Sequence, residues 1–253
     1  MTALVSPHAK SASFDTAIID QARGLKGTMI AAVRSKGMIK RSVLMGIVLF
    51  GATVAGHAEP ATFDNDSPGA PPNGWIITMT GKGQPKWTVE RDESGPSNGQ
   101  VLKQSGRATY PLALKQGTSV KDGFVEARFK PIDGSEDRAG GLVWRARDAN
   151  NYYVVRANAL EDNVVLYKTV DGKRSSLDIV GQKGGYGVKI PVRPNQWHVL
   201  RVEFAGSRFK VVFNGKELFE VDDVTFGEPG LVGLWTKADS VTSFADFAYG
   251  AAK

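Results

Sequence analysis

Residues 75–250 predict an all-β domain, a sandwich of two antiparallel sheets, on three observations. No segment in this range keeps a helical apolar period, whereas twelve short runs rich in Val, Ile, Phe, Tyr and Trp are separated by Gly-, Asp- and Asn-containing turns. Apolar residues alternate with polar ones, as in Leu200, Val202, Phe204 and in Phe209, Val211, Phe213. That period of two gives each sheet one face for the core and one for solvent. No internal repeat can be aligned, which argues against a propeller.

The runs, in order, are 75–80 (WIITMT), 86–92 (KWTVERD), 100–106 (QVLKQSG), 123–132 (GFVEARFKPI), 140–147 (GGLVWRAR) and 151–158 (NYYVVRAN). They continue with 163–170 (NVVLYKTV), 197–205 (WHVLRVEFA), 208–214 (RFKVVFN), 216–221 (KELFEV), 230–238 (GLVGLWTKA) and 243–249 (SFADFAY). Asp171-Gly172 and Asn214-Gly215 are dipeptides that accept positive φ and so fit tight hairpins.

Ahead of this domain the chain reads as a leader. Lys40 and Arg41 form a positive start, residues 43–55 an uncharged apolar stretch, and Gly56 and Ala58 the small residues that precede a cut. We therefore expect a signal peptide over 38–58, cleaved near Ala58, and a periplasmic or secreted product. The apolar stretch is too short for a stable membrane anchor. Residues 1–37 read as a leader or a start assigned too far upstream, and 59–74, rich in Pro, Gly, Asp and Asn, as a linker or irregular lead-in.

Charge must be divided along the chain before it says anything about partners. The first 58 residues hold 7 of the 32 Lys and Arg and 2 of the 26 Asp and Glu, leaving 25 against 24. A nearly neutral remainder lacks the basic excess that dominates phosphate binding, so nucleic acid is not an expected partner. The absence of Cys removes thiol catalysis and Cys-ligated zinc.

His198, the one histidine beyond the leader, sits among Leu200, Val202 and Phe204 and reads as strand-end packing. No GxSxG nucleophile motif occurs. Glu220 and Asp222 share a strand face but also fit ordinary turn chemistry. Oxygen-rich segments at Asp64/Asp66, at Asp148/Asn150/Asn151 and at Glu161/Asp162/Asn163 leave room for a structural calcium, though the first lacks donors at its fifth and twelfth places. Otherwise no cofactor is expected. Residues 181–189 (GQKGGYGVK) lack the Gly-Lys-Ser/Thr of a phosphate loop and read as a rim loop.

The remaining candidate is the stretch 140–158. Strict alternation places Val143, Arg145 and Arg147 on one face of the first strand, with Tyr152, Val154, Arg156 and Asn158 on one face of the second and a turn at 147–151. Guanidinium and amide groups suit sugar hydroxyls or carboxylates, and aromatic rings stack on pyranose faces.

Residues 140–168, with 197–223 and 229–247, resemble the concanavalin A-like lectin/glucanase superfamily, in the branch of 3-keto-disaccharide hydrolase-type and family 16 glycoside hydrolase-like domains. The resemblance implies a jelly roll whose concave face holds carbohydrate. Arg145 matches the arginine ending that branch's NSGIxxR strand, with glycine in place of Asn-Ser. Tyr153 matches the tyrosine of its GYExQ strand, with Val154 and Arg156 in place of Glu and Gln. Trp235 and Lys237 stand where the branch has Gln and His, and the glucanase ExDxxE strand is absent. The expectation is a monomeric, exported, non-catalytic domain binding a saccharide or polyol through Arg145, Arg156, Asn158, Trp235 and Lys237, with Trp235 as stacking platform. The alternatives are a glycoside hydrolase or lyase acting on 3-keto-disaccharides and a structural envelope protein without a small ligand.

Overall fold

The computed structural model describes residues 61–96 and 99–251. The expected leader and signal peptide lie outside the described residues. Fifteen strands pair antiparallel into two sheets, and no helix occurs among the described residues. The first sheet runs β1 (Trp75–Gln84), β4 (Arg107–Lys115), β14 (Leu231–Trp235), β6 (Ala139–Asp148), β7 (Asn151–Asn158), β8 (Asn163–Val170) and β10 (Val188–Lys189). Its eighth strand, β9 (Lys173–Ser176), lies beside β8. The second runs β13 (Lys216–Asp222), β12 (Arg208–Phe213), β11 (His198–Ala205), β5 (Gly123–Asp133), β15 (Val241–Ala251), β3 (Gln100–Gln104) and β2 (Trp87–Arg91).

All twelve expected runs are strands, and three strands join them. β4 carries Pro111, a residue that demotes a run to an edge or a non-strand in sequence reasoning. Here the Pro111 carbonyl accepts from Thr236 N–H at 3.0 Å, so β4 is held by an acceptor that proline retains. β9 and β10 are short and polar and show no alternation. The hairpin dipeptides do what their chemistry allows: Asp171, Gly172, Asn214 and Gly215 all have positive φ.

The core between the sheets is built from the alternating faces. Leu142, Trp144, Tyr153, Val155 and Leu166 from the first sheet meet Phe204, Phe209, Val211 and Phe129 from the second. Trp144 stacks on Tyr153 at 5.4 Å and on Phe204 at 5.9 Å, the offset geometry that aromatic pairs prefer. The irregular lead-in is fastened to this body: Ala61 N–H donates to Phe247 O, and Phe63, 1% exposed, packs on Trp75.

The first sheet carries a second apolar layer on its outer face. It contains Leu112, Val143, Tyr152, Val154, Tyr167 and Trp235. A sheet face this well covered is unusual for a side turned away from the core, and it defines where a site can form.

Candidate functional site on the outer face of the first sheet

The outer face is concave, as one contact demonstrates. Arg174 on β9 and Tyr110 on β4 are five strand intervals apart in the sheet order. In a flat sheet, five spacings of about 4.8 Å would separate their backbones by roughly 24 Å. Instead the Arg174 guanidinium lies 4.8 Å from the Tyr110 ring centroid, 4.2 Å from that of Tyr167 and 5.4 Å from that of Trp235. The sheet therefore curls enough for side chains from nearly opposite sides to meet across a groove.

Four of the five residues expected to bind a ligand lie below the surface. Trp235 and Arg156 are 0% exposed, and Asn158 and Arg145 1%. Trp235 is on the concave side but stacked under Tyr110 at 5.4 Å, so it supports a platform and is not itself the platform. Arg156 donates to Glu161 at 2.9 Å, to the Tyr186 hydroxyl at 2.9 Å and to the Tyr167 hydroxyl at 3.2 Å. Asn158 donates through one amide nitrogen to both Asp137 (3.0 Å) and Glu161 (3.1 Å). Lys237, partly exposed, pairs with the buried Asp137 at 2.5 Å. Arg156, Asn158 and Lys237 thus belong to one network, with Trp235 on the same face.

Arg145 does not share that face. Its φ is 47°, and the β6–β7 register shifts between Trp144 and Asp148. A bulge of this kind turns a side chain to the other side of its strand. Ala146, not Arg145, then faces the outer layer. The guanidinium enters the rim of the sandwich, 5.7 Å from the Phe204 ring and 5.5 Å from that of Phe209. There it donates to the carbonyls of Lys121, Phe226 and Gly206, each at 2.8 Å, and to Asp122 at 3.1 Å. The expectation of one face carrying Arg145 with Arg156 and Trp235 is corrected accordingly: strict alternation has no place for the extra residue of a bulge.

The groove's outermost layer comes from residues the sequence reading did not select, Tyr110, Arg174 and Tyr186. Tyr110 belongs to the unrecognised β4, and Arg174 to a short polar strand. Tyr186 sits in the glycine-rich loop, which first runs to the other sheet, where Val180 N–H donates to Glu220 O. The loop then returns so that the Tyr186 hydroxyl meets Arg156 and Tyr167. An adjoining cavity of about 550 Å³ is lined by Tyr110, Lys82, Arg107, Thr109, Glu136 and Lys237, among others.

The electrostatics set limits on chemistry. Burial alone would raise the Glu161 carboxyl, but hydrogen bonds from Arg156 and Asn163 outweigh it and hold the group below the usual carboxylate range. Burial raises the Tyr167 phenol well above its ordinary value. Asp239 caps the 135–137 turn by accepting three backbone N–H groups, which hold its carboxyl far below the ordinary value against the opposing effect of burial. That turn carries Asp137 into the groove.

The other candidates take structural places. His198 is 5% exposed, with Nε2 against Arg193 O at 2.9 Å and Nδ1 against the Asn214 amide at 3.1 Å. Burial lowers its pKa. Glu220 and Asp222 both pair with Arg208 on the outer face of the second sheet. In the oxygen-rich segments, Asp66 accepts from Asn73, Asp148 from Asn150 and Asn151, and Asp162 from Val192 N–H. Among the described residues, no group of three His, Asp or Glu side chains is placed to hold a metal ion.

Two antiparallel sheets, a curled first sheet and a polar, aromatic groove on its outer side define a concanavalin A-like jelly-roll domain. More narrowly, the chain belongs to the 3-keto-alpha-glucoside-1,2-lyase-like domain family, whose profile matches residues 63–247. It is 29% identical over 161 residues to the levanase of Bacillus subtilis (strain 168), an alignment covering 63% of this chain and 21% of the levanase. The chain thus matches about a fifth of that relative's length. Among solved structures, carbohydrate binding module CBM66 from Bacillus subtilis is similar with a TM-score of 0.55 at 24% identity, covering 70% of this chain and 94% of the module. The cellulose induced protein Cip1 is similar with a TM-score of 0.51 at 11% identity, over 70% of this chain and 92% of that one. Both are likenesses of fold.

Proposed function

We propose that this chain is an exported carbohydrate-binding domain that seats a saccharide in the concave groove without cleaving it. The observation that carries this reading is the assembly of Arg174 over Tyr110, Tyr167 and Trp235. Tyr110, the partly exposed ring of the three, beside guanidinium donors of Arg174 that no protein acceptor uses is the chemistry a sugar's apolar face and hydroxyls require. The levanase relative and the carbohydrate-binding neighbour support the same ligand class. Against general-acid catalysis stand Asp137, which is tied to Lys237, and Glu161, which Arg156 holds ionised. A general acid at neutral pH needs a raised pKa.

Family membership favours a second reading, a lyase acting on a 3-keto-glucoside with Glu161 as base. Titration calorimetry of the full chain with neutral, acidic and 3-keto saccharides, followed by product analysis, decides between them. Binding without product, weakened about tenfold by Tyr110→Ala, is the expected result. Release of a sugar from the 3-keto-glucoside overturns it in favour of the lyase, and silence toward every saccharide removes both.

A further inference from the structure

The groove's charges do not balance, and the imbalance is local. Three carboxylates near it are each matched: Glu136 by Arg107, Asp137 by Lys237, and Glu161 by Arg156. Other cations stand here without an ion pair among the described residues, notably Lys82, which lines the cavity, and Arg174, which lies against the Tyr110 ring beside it. The excess is a property of this face, because the chain beyond residue 58 holds nearly equal numbers of acidic and basic groups.

Arg174 is the more telling of the two. Its Nη1 is shielded from solvent and donates to no acceptor. That atom is closed to a ligand, but Nε and Nη2 are neither shielded nor hydrogen-bonded among the described residues, so the guanidinium keeps one open, unpaired edge. The three surrounding rings hold the guanidinium plane by cation–π contact but accept no conventional hydrogen bond from it. An arginine fixed in orientation, free of carboxylates and facing a groove is prepared for an anion. Its open Nε–Nη2 edge matches a carboxylate in a bidentate fashion, which a lysine cannot reproduce.

We propose that the saccharide seated here is a uronate, its carboxylate held by Arg174 and the adjoining residues of the chain lying toward Lys82 and Lys237. This inference rests on the carbohydrate-binding reading and names its ligand class. Binding is then charge-dependent in a way that neutral-sugar recognition is not, weakening as salt screens the exposed Lys82 more than the sheltered Arg174.

The test titrates the full chain with galacturonate and mannuronate trisaccharides and with the methyl ester of each, which keeps the shape and removes the charge. At least one free acid should bind about tenfold or more tightly than its ester. Arg174→Met should erase that preference, Arg174→Lys should restore only part of it, and Lys82→Met should reduce the salt dependence. Equal affinity for acid and ester overturns the uronate assignment while leaving saccharide binding intact. A charge preference that survives Arg174→Met overturns the role of Arg174. Should that variant fail to fold, Arg174→Lys together with the salt series decides the same question. No binding of the uronates, with a neutral saccharide bound, overturns this inference alone; no binding of any saccharide overturns it together with the proposed function.

Discussion

At the scale of single residues, the two arginines of 140–158 show how little a side chain's identity says about its task. Arg156 and Arg145 lie on adjacent strands and are both buried, yet one organises the groove and the other fastens the rim. The difference is a single backbone torsion, the positive φ of Arg145, which a sequence does not display. Arg145 satisfies the carbonyls of Lys121, Phe226 and Gly206, and removing it leaves buried acceptors without donors. We expect Arg145→Met to lower stability by about 2–4 kcal/mol, since each stranded group carries roughly 1–3 kcal/mol. Urea denaturation measures this, and calorimetry should find saccharide affinity unchanged. A stable variant that no longer binds would return Arg145 to the site. Trp235 teaches the complementary point: an aromatic at the right register can face the groove and still lie beneath it.

At the scale of elements, legibility followed alternation. β7 and β8 coincide with the expected runs 151–158 and 163–170 because every second side chain enters the core and the turns that flank the pair carry Asn150 and Asp171-Gly172. β4 went unrecognised because Pro111 interrupts its pattern, and with it went Tyr110. β9 and β10 are too short and polar to show a period, so Arg174 could not be placed. The part of the site contributed by regular strands was therefore readable, and its outermost layer was not. The loop between β9 and β10 is similarly constrained by contacts invisible in sequence. Gly187 has a φ of +64°, and a Cβ there would stand 2.1 Å from Val164 O. Gly187→Ala should destabilise the protein by more than about 1 kcal/mol, because a positive φ and a backbone clash combine. The change should also release Tyr186 from Arg156, seen as faster proteolysis within residues 177–187. Unaltered cleavage would mean that the loop is held elsewhere, for instance through Val180.

For the whole molecule, the shifted groups define a window of pH. Burial would raise Asp223, yet Lys168, Thr225 and Tyr153 hold it low, and Asp92, Glu161 and Glu203 are lowered in the same manner by their own partners. Burial also lowers His198. For all of these the unfolded chain binds more protons in acid, so stability falls as pH drops, first through the ordinary histidine range and then through that of carboxylates. Burial raises Tyr153, and Asp223 adds to the effect; Tyr152 and Tyr167 are raised too. Their contribution is present below the unfolded phenol value of about 10 and is lost as pH climbs beyond it. Denaturant midpoints should therefore form a plateau between about pH 7 and 10 and decline on both sides. A profile flat from pH 7 down through the histidine and carboxylate ranges would contradict the lowered His198 and the lowered carboxylates alike.

The meeting of Arg174 with Tyr110 has a kinetic meaning as well. Neither residue can find the other until β4, β14, β6, β7, β8 and β9 have all paired in order, and those strands come from distant parts of the chain. Such non-local pairings slow folding, and no partly assembled sheet possesses the groove. A ligand held there would stabilise only the completed fold, so it would suppress global unfolding and leave local fraying of the edges untouched.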